Sequence, residues 1–166
     1  PEQILLDIDS TLLNTYGMQD GSAFNYHYSA KGYHPLVCFD GLTGDLLKVD
    51  LRDGTDYCSN GAKEFLEPLF LELRTEYPQT NLYLRGDSGF AAPEIYELCE
   101  AYDVSFIIRL KSNAKVERLA IERGLDKALT EITRHNAYDY AVCYDEFSYQ
   151  AKSWDHPHRV VAKVEK

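Results

Sequence analysis

The run ILLDID at residues 4–9 constrains this chain more than any other stretch, because it sets two aspartates into an otherwise apolar segment. A run this short and this apolar reads as a central strand. Residues two apart on a strand share a face, so Asp7 and Asp9 project together while Ile8 points to the opposite side. Two like charges on one face of an apolar strand repel each other and resist burial. Something cationic has to meet them. In a structural arrangement it is an arginine, with one carboxylate capping the next turn; in a functional arrangement it is a divalent metal.

A second anchor lies at Asp87, just past the predicted strand NLYLR at residues 81–85, where GDSGF supplies glycines for a tight turn. If that strand neighbours the first, its terminal carboxylate lands beside Asp9. Hard cations such as Mg²⁺ take oxygen ligands and keep several waters, so aspartates at neighbouring strand ends suffice to seat them. The tripeptide Arg85-Gly86-Asp87 also spells an integrin-binding sequence, but its place at a strand end speaks against that use.

Composition narrows the classes. With 166 residues and 45% hydrophobic content the chain can bury a core, and one globular domain with a small appendage is expected. Cysteines at 38, 58, 99 and 143 form no CxxC pair and have no histidine at ligand spacing, which argues against a zinc site or a disulfide framework. They read as thiols in a reducing compartment. No signal peptide and no apolar run of membrane-spanning length is visible, so a cytoplasmic protein with no membrane partner is expected. The formal charge of −10 opposes strong grip on a phosphate backbone by this stretch alone, since that affinity comes from Lys and Arg. The abrupt start at Pro1 and the stop at Lys166 read as the ends of a piece of a longer chain.

Periodicity organises the rest. Residues 15–35, TYGMQDGSAFNYHYSAKGYHP, read as a long loop or irregular ribbon. Leu36–Asp40 and Leu46–Leu51 read as a hairpin across GLTGD. Phe65, Leu66, Leu69, Phe70 and Leu73 recur at helical spacing, with Ser59 or Asn60 as the N-cap and Pro68 expected to kink the helix or delay its start. Residues 93–102 predict a helix with proline in its first turn, and VSFIIRL at 104–110 a strand. After residue 112 the character changes: a helical segment at 114–123 and a helix or irregular segment at 125–133 precede alternating stretches at 137–150 and 159–165. The expectation is therefore α/β, with residues 1–111 as a core and 112–166 as the start of a β-rich subdomain.

Two families resemble parts of this pattern. Haloacid-dehalogenase-like phosphatases carry an apolar strand followed by Asp-x-Asp-x-Thr, which Asp7, Asp9 and Thr11 match; that would make Asp7 the nucleophile and Asp9 the acid/base. That likeness covers about ten residues. The fold it implies needs parallel connections and an acid where GDSGFAA has alanine. The second resemblance is far wider. LDIDST, the 15–35 segment, GLTGDLLKVDLRDGTDYCSNGAKEFL, LYLRGDSGF and WDHPHRVVAKVEK occur in order and resemble DDE-type transposases of bacterial insertion sequences, the insertion-sequence 1380 family. This implies a ribonuclease-H-like mixed sheet, three antiparallel strands followed by helix, strand, helix, strand, with a β-rich insertion after about residue 112.

The same resemblance implies Asp9 and Asp87 as the first two catalytic acids and metal ligands, with Asp7 assisting the metal. It implies two Mg²⁺ or Mn²⁺ ions, DNA as partner at transposon ends and target, and an oligomer assembled on that DNA. The third acid is a glutamate on a helix, and no residue here matches it; Glu165 falls in an apparent strand. The piece by itself is therefore expected to be inactive. Lys31, Tyr33 and His34 in the long loop are candidate DNA contacts, against the plainer reading of a surface loop. Arg85 and Arg109, near strand ends, are candidate structural partners for the carboxylates. A non-catalytic binding domain built on the same sheet is the remaining alternative.

Overall fold

A computed structural model describes residues 1–122 and 142–165. The chain divides into two compact units, Pro1–Leu110 and Lys111–Lys166. The first unit is built on five strands: β1 (Gln3–Ser10), β5 (Leu36–Asp40), β6 (Leu46–Asp50), β7 (Asn81–Gly86) and β8 (Ser105–Ile108), in the spatial order β6-β5-β1-β7-β8. β5 and β6 run antiparallel to their neighbours, whereas β7 and β8 run parallel to β1. The helices α1 (Ala62–Glu76) and α2 (Pro93–Ala101) are the two crossovers that parallel pairing requires.

Alternation fixes which face is the core. Ile4, Leu6 and Ile8 of β1 are buried with Leu36, Cys38, Leu82 and Leu84 against Phe65, Leu66, Phe70, Leu73, Ile95 and Leu98 of the helices. The opposite face carries a row that runs Phe39, Asp7, Arg85, Ile107 across four strands in register. Ile107 is 66% exposed and Phe39 37%, so this second face stays open where the first is packed.

α1 begins differently from the sequence expectation. Its N-cap is Gly61 in the left-handed conformation (φ 68°), not Ser59 or Asn60, and no side chain caps it. Glycine adopts that conformation without the Cβ clash other residues meet. Pro68 lies inside the helix, which continues to Glu76, and its ring sits on the exposed side. The carbonyl that Pro68 leaves without a donor is therefore in reach of water, which reduces the cost of the break.

Residues 15–35 depart further from expectation. Instead of a loop they contribute to a second sheet of three strands, β2 (Leu13–Asn14), β3 (Ala23–Asn25) and β4 (Ala30–Tyr33), ordered β2-β4-β3. The glycine that suggests a loop here serves close packing of backbones: a Cβ on Gly32 would stand 2.2 Å from the Leu13 carbonyl oxygen. Asn25, 6% exposed, pins the β3–β4 turn by accepting from the amides of His27 and Tyr28 and donating to Gly54.

In the second unit residues 114–122 are helical, capped by Asn113 accepting from Lys115 and Val116. β9 (Val142–Tyr149) and β10 (His158–Glu165) pair antiparallel over their whole length. The expected helix or irregular segment at 125–133 and the start of the 137–150 strand lie outside the described residues. Among the described residues no helix is long and apolar enough to cross a membrane.

The core thiols make a checkable point. Cys38 and Cys99 are fully buried, and burial pushes each thiol up to about 12, with Asp7 adding to the shift at Cys38. Since the thiolate is the reactive form, neither residue should be alkylated by iodoacetamide at pH 8 in the native protein, and both should be labelled in denaturant. Peptide mass mapping reads this directly; native labelling of either one contradicts the core described here.

Candidate metal centre

The carboxylates collect where the parallel strands end. β1 and β7 pair in register through Asp7 opposite Arg85. The next positions on the same face are Asp9 on β1 and Asp87 just beyond β7, so the pairing carries these two acids to adjoining strand ends. Asp7, Asp9 and Asp87 line a single cleft of about 740 Å³, together with Thr11, Asp40 and Arg85. The hydrophobic alternation of both strands decides this outcome: burying Ile4, Leu6, Ile8, Leu82 and Leu84 on one face forces the acids onto the other.

Asp9 and Asp87 share a local geometry. Asp9 is exposed, and its Oδ1 accepts the Ser10 amide at 2.7 Å. Asp87 is also exposed and caps the short 3-10 turn Ser88–Phe90, with Oδ1 accepting the Gly89 amide at 2.7 Å. In each case one carboxylate oxygen is oriented by backbone and the other has no hydrogen bond among the described residues. That donor set, anionic oxygens held in place and open to solvent, suits a hard divalent cation that keeps some of its water. Cys58 braces the Asp87 turn, since a Cβ on Gly89 would come within 2.8 Å of the Cys58 Cβ.

Asp7 is engaged elsewhere. Arg85 Nε donates to its Oδ1 at 2.6 Å, and Arg85 Nη2 donates to its Oδ2. This pairing, first through the hydrogen bonds and then through charge, holds the Arg85 guanidinium above its ordinary value. The expectation that Asp7 joins the metal ligands meets a carboxylate whose two oxygens are already satisfied. Among the described residues Asp7, Asp9 and Asp87 do not bring their ligand atoms into one coordination shell. Arg109 has no ion pair with these acids among the described residues; its amide donates to Gly86 at 3.2 Å.

The proposed DNA contacts separate. Lys31 is exposed, with Nζ donating to the Gly17 carbonyl at 3.3 Å. Tyr33 is half-buried and donates its hydroxyl to Asp20 O at 2.6 Å. His34 is only 2% exposed, its Nδ1 donating to Asp56 O at 2.7 Å, so it serves the interior and offers no edge to a phosphate. The reason is the Arg52 segment: His34 follows β4, its amide donates to the Arg52 carbonyl, and its own carbonyl accepts from Arg52 Nε.

Tyr28 is a neighbour that sequence reasoning does not single out. Its hydroxyl donates to Ser10 O at 3.2 Å, and burial, then the charges of Cys58, Asp9 and Asp87, raise its phenol above the ordinary value. A neutral phenol therefore stands at the edge of the acid pair. Only the folding of residues 15–35 into a sheet brings it there, and no periodicity announces that.

No curated protein sequence matches the chain. Among solved structures, a piggyBac transposase in a synaptic complex with hairpin DNA is similar over 95% of this chain and 32% of that one, at 19% identity and a TM-score of 0.49. This chain thus spans about a third of that protein's length. The family model for Transposase DDE domain group 1 matches residues 1–166.

Proposed function

The chain belongs to the Transposase DDE domain group 1 family, and from that premise we propose that it supplies the first two acids of a metal-dependent DNA cleavage and strand-transfer site. The observation that carries this reading is the arrival of Asp9 and Asp87 at adjoining ends of two parallel strands, in one cleft, each with one oxygen oriented by backbone. Asp9 and Asp87 would hold the ions, Mg²⁺ or Mn²⁺, with the remaining acid contributed by a glutamate that has no match in this sequence. When bound, two such ions supply Lewis-acid activation of a water or a 3′-hydroxyl and stabilise the leaving oxygen during in-line attack on a phosphodiester.

The chain's own residues set the stage for that chemistry. The backbone amides of Ser10 and Gly89 fix the carboxylate orientations. We read the β6-β5-β1-β7-β8 sheet as a ribonuclease-H-like core within residues 1–111, and residues 112–166 as the start of a β-rich insertion. Lys31 remains a candidate DNA contact on the exposed β3–β4 hairpin. We further infer a cytoplasmic protein of the bacterial insertion-sequence 1380 type that acts as an oligomer on paired ends.

The phosphatase alternative requires Asp7 as a free nucleophile, and the bidentate Arg85 pairing opposes it. The two readings part in a direct assay of the full-length protein with Mg²⁺. Cleavage of a labelled duplex carrying the element's end, with no hydrolysis of p-nitrophenyl phosphate, is the expected result. Phosphomonoester turnover without DNA cleavage would replace this reading with the phosphatase, and an intact fold with neither activity and no Mn²⁺ uptake would favour a non-catalytic domain.

A further inference from the structure

We propose that Arg85 is a phosphate-binding residue for DNA in this cleft, and that Asp7 is its positioning residue instead of a metal ligand; the proposal rests on the transposase reading above. The cleft is lined by four carboxylates, Asp7, Asp9, Asp40 and Asp87, and Arg85 is its one basic side chain among the described residues. A polyanion approaching such a surface, on a chain of formal charge −10, needs a fixed cation near the point of entry.

Arg85 is built for that task. It sits one same-face step before Asp87, about 6.6 Å along the strand, so its donors lie beside the acids rather than among them. Pairing with Asp7 occupies Nε and Nη2, while Nη1 has no partner among the described residues. A guanidinium has five N–H donors in a rigid fork, so two can hold a carboxylate while others remain for a phosphate oxygen. The side chain is 54% exposed, against 28% for Asp7. Asp7 is itself wedged: a Cβ on Gly41 would stand 2.5 Å from its Oδ2 and 2.9 Å from Leu5 Cδ2. The carboxylate is thus held from behind by a glycine backbone and in front by the arginine. Recruiting Asp7 to a metal would break this pairing and leave the Arg85 guanidinium without the carboxylate that holds it in place.

The test measures affinity of the full-length protein for a labelled duplex carrying the element's end, by fluorescence anisotropy across a KCl series, with Mn²⁺ affinity read by electron paramagnetic resonance. Arg85→Ala should weaken DNA binding about tenfold at low salt and reduce the slope of log K against log salt by about one. Arg85→Lys should keep the slope and recover part of the affinity. Asp7→Asn should weaken DNA binding less, leave Mn²⁺ affinity as it is, and add nothing in the Arg85→Ala background. Arg85→Gln, which keeps a hydrogen bond to Asp7 without the charge, carries the same expectation for the slope if the alanine variant does not fold. A wild-type slope in both uncharged variants overturns the proposal, as does Asp7→Asn that loses Mn²⁺ while binding DNA normally. Failure of the wild type to bind DNA would overturn the transposase reading as well, so the two failures are distinguishable.

Discussion

Asp9→Asn or Asp87→Asn in the full-length protein should lower DNA cleavage and strand transfer by more than about a hundredfold, because loss of mere outer-shell partners already costs metal sites about 10- to 100-fold. The fold should be untouched. Asparagine keeps an Oδ1 that can accept the Ser10 amide or cap the Ser88–Phe90 turn as aspartate does, so only the negative charge and the second oxygen are lost. Unfolding free energy is accordingly expected within about 0.5 kcal/mol of wild type, the range of ordinary surface changes. Asp40, which lines the same cleft but pairs opposite Leu6 instead of lying at the strand ends that carry Asp9 and Asp87, is the control that should retain activity when changed to asparagine. Normal strand transfer by either the Asp9 or the Asp87 variant refutes the assignment of that residue.

Arg52→Ala should cost about 3 kcal/mol in urea denaturation. Arg52 is 8% exposed and donates to four carbonyls: His34 and Tyr57 at 3.0 and 3.1 Å, Cys58 at 3.3 Å and Asn60 at 2.6 Å. Truncation strands those acceptors in a place that water reaches poorly. Arg52→Lys should rescue little, because a point-charge ammonium cannot span carbonyls that the planar fork reaches together. The consequence extends to the site. Residues 57–60 lead into α1 and place Cys58 against Gly89, so freeing them loosens the turn that Asp87 caps and should weaken Mn²⁺ binding as well. A loss below about 0.5 kcal/mol, the level of a surface change, would mean that Arg52 is not the clamp described here.

The parts of this molecule that periodicity could reach were legible in the sequence. β1, β5, β7 and α2 lie within a residue or two of their expected limits, because each has an apolar pattern bounded by turn residues or proline. The shared face of Asp7 and Asp9 follows from the strand period alone, and the parallel neighbour that carries Asp87 follows from one helical crossover. Local pattern could not reach what depends on register between distant segments. Arg85 is a candidate partner for the carboxylates from its place at a strand end, and it pairs with Asp7, but the burial of His34 and the approach of Tyr28 to Ser10 depend on how distant segments pack. Gly32 shows the same limit: a glycine that reads as loop is required where two backbones touch. Arg52 carries no motif at all, and its role appears only once residues 57–60 fold around it.

Asp9 and Asp87 are proposed to ligate the same divalent cation. Diffraction from crystals of the full-length protein grown with Mn²⁺, with data collected for the manganese anomalous signal, tests it most directly. An anomalous peak is expected in the cleft within bonding distance of one carboxylate oxygen from each residue, with Asp7 still held by Arg85. A peak bound to Asp7 but to neither Asp9 nor Asp87, or full occupancy at a site remote from both strand ends, would contradict it.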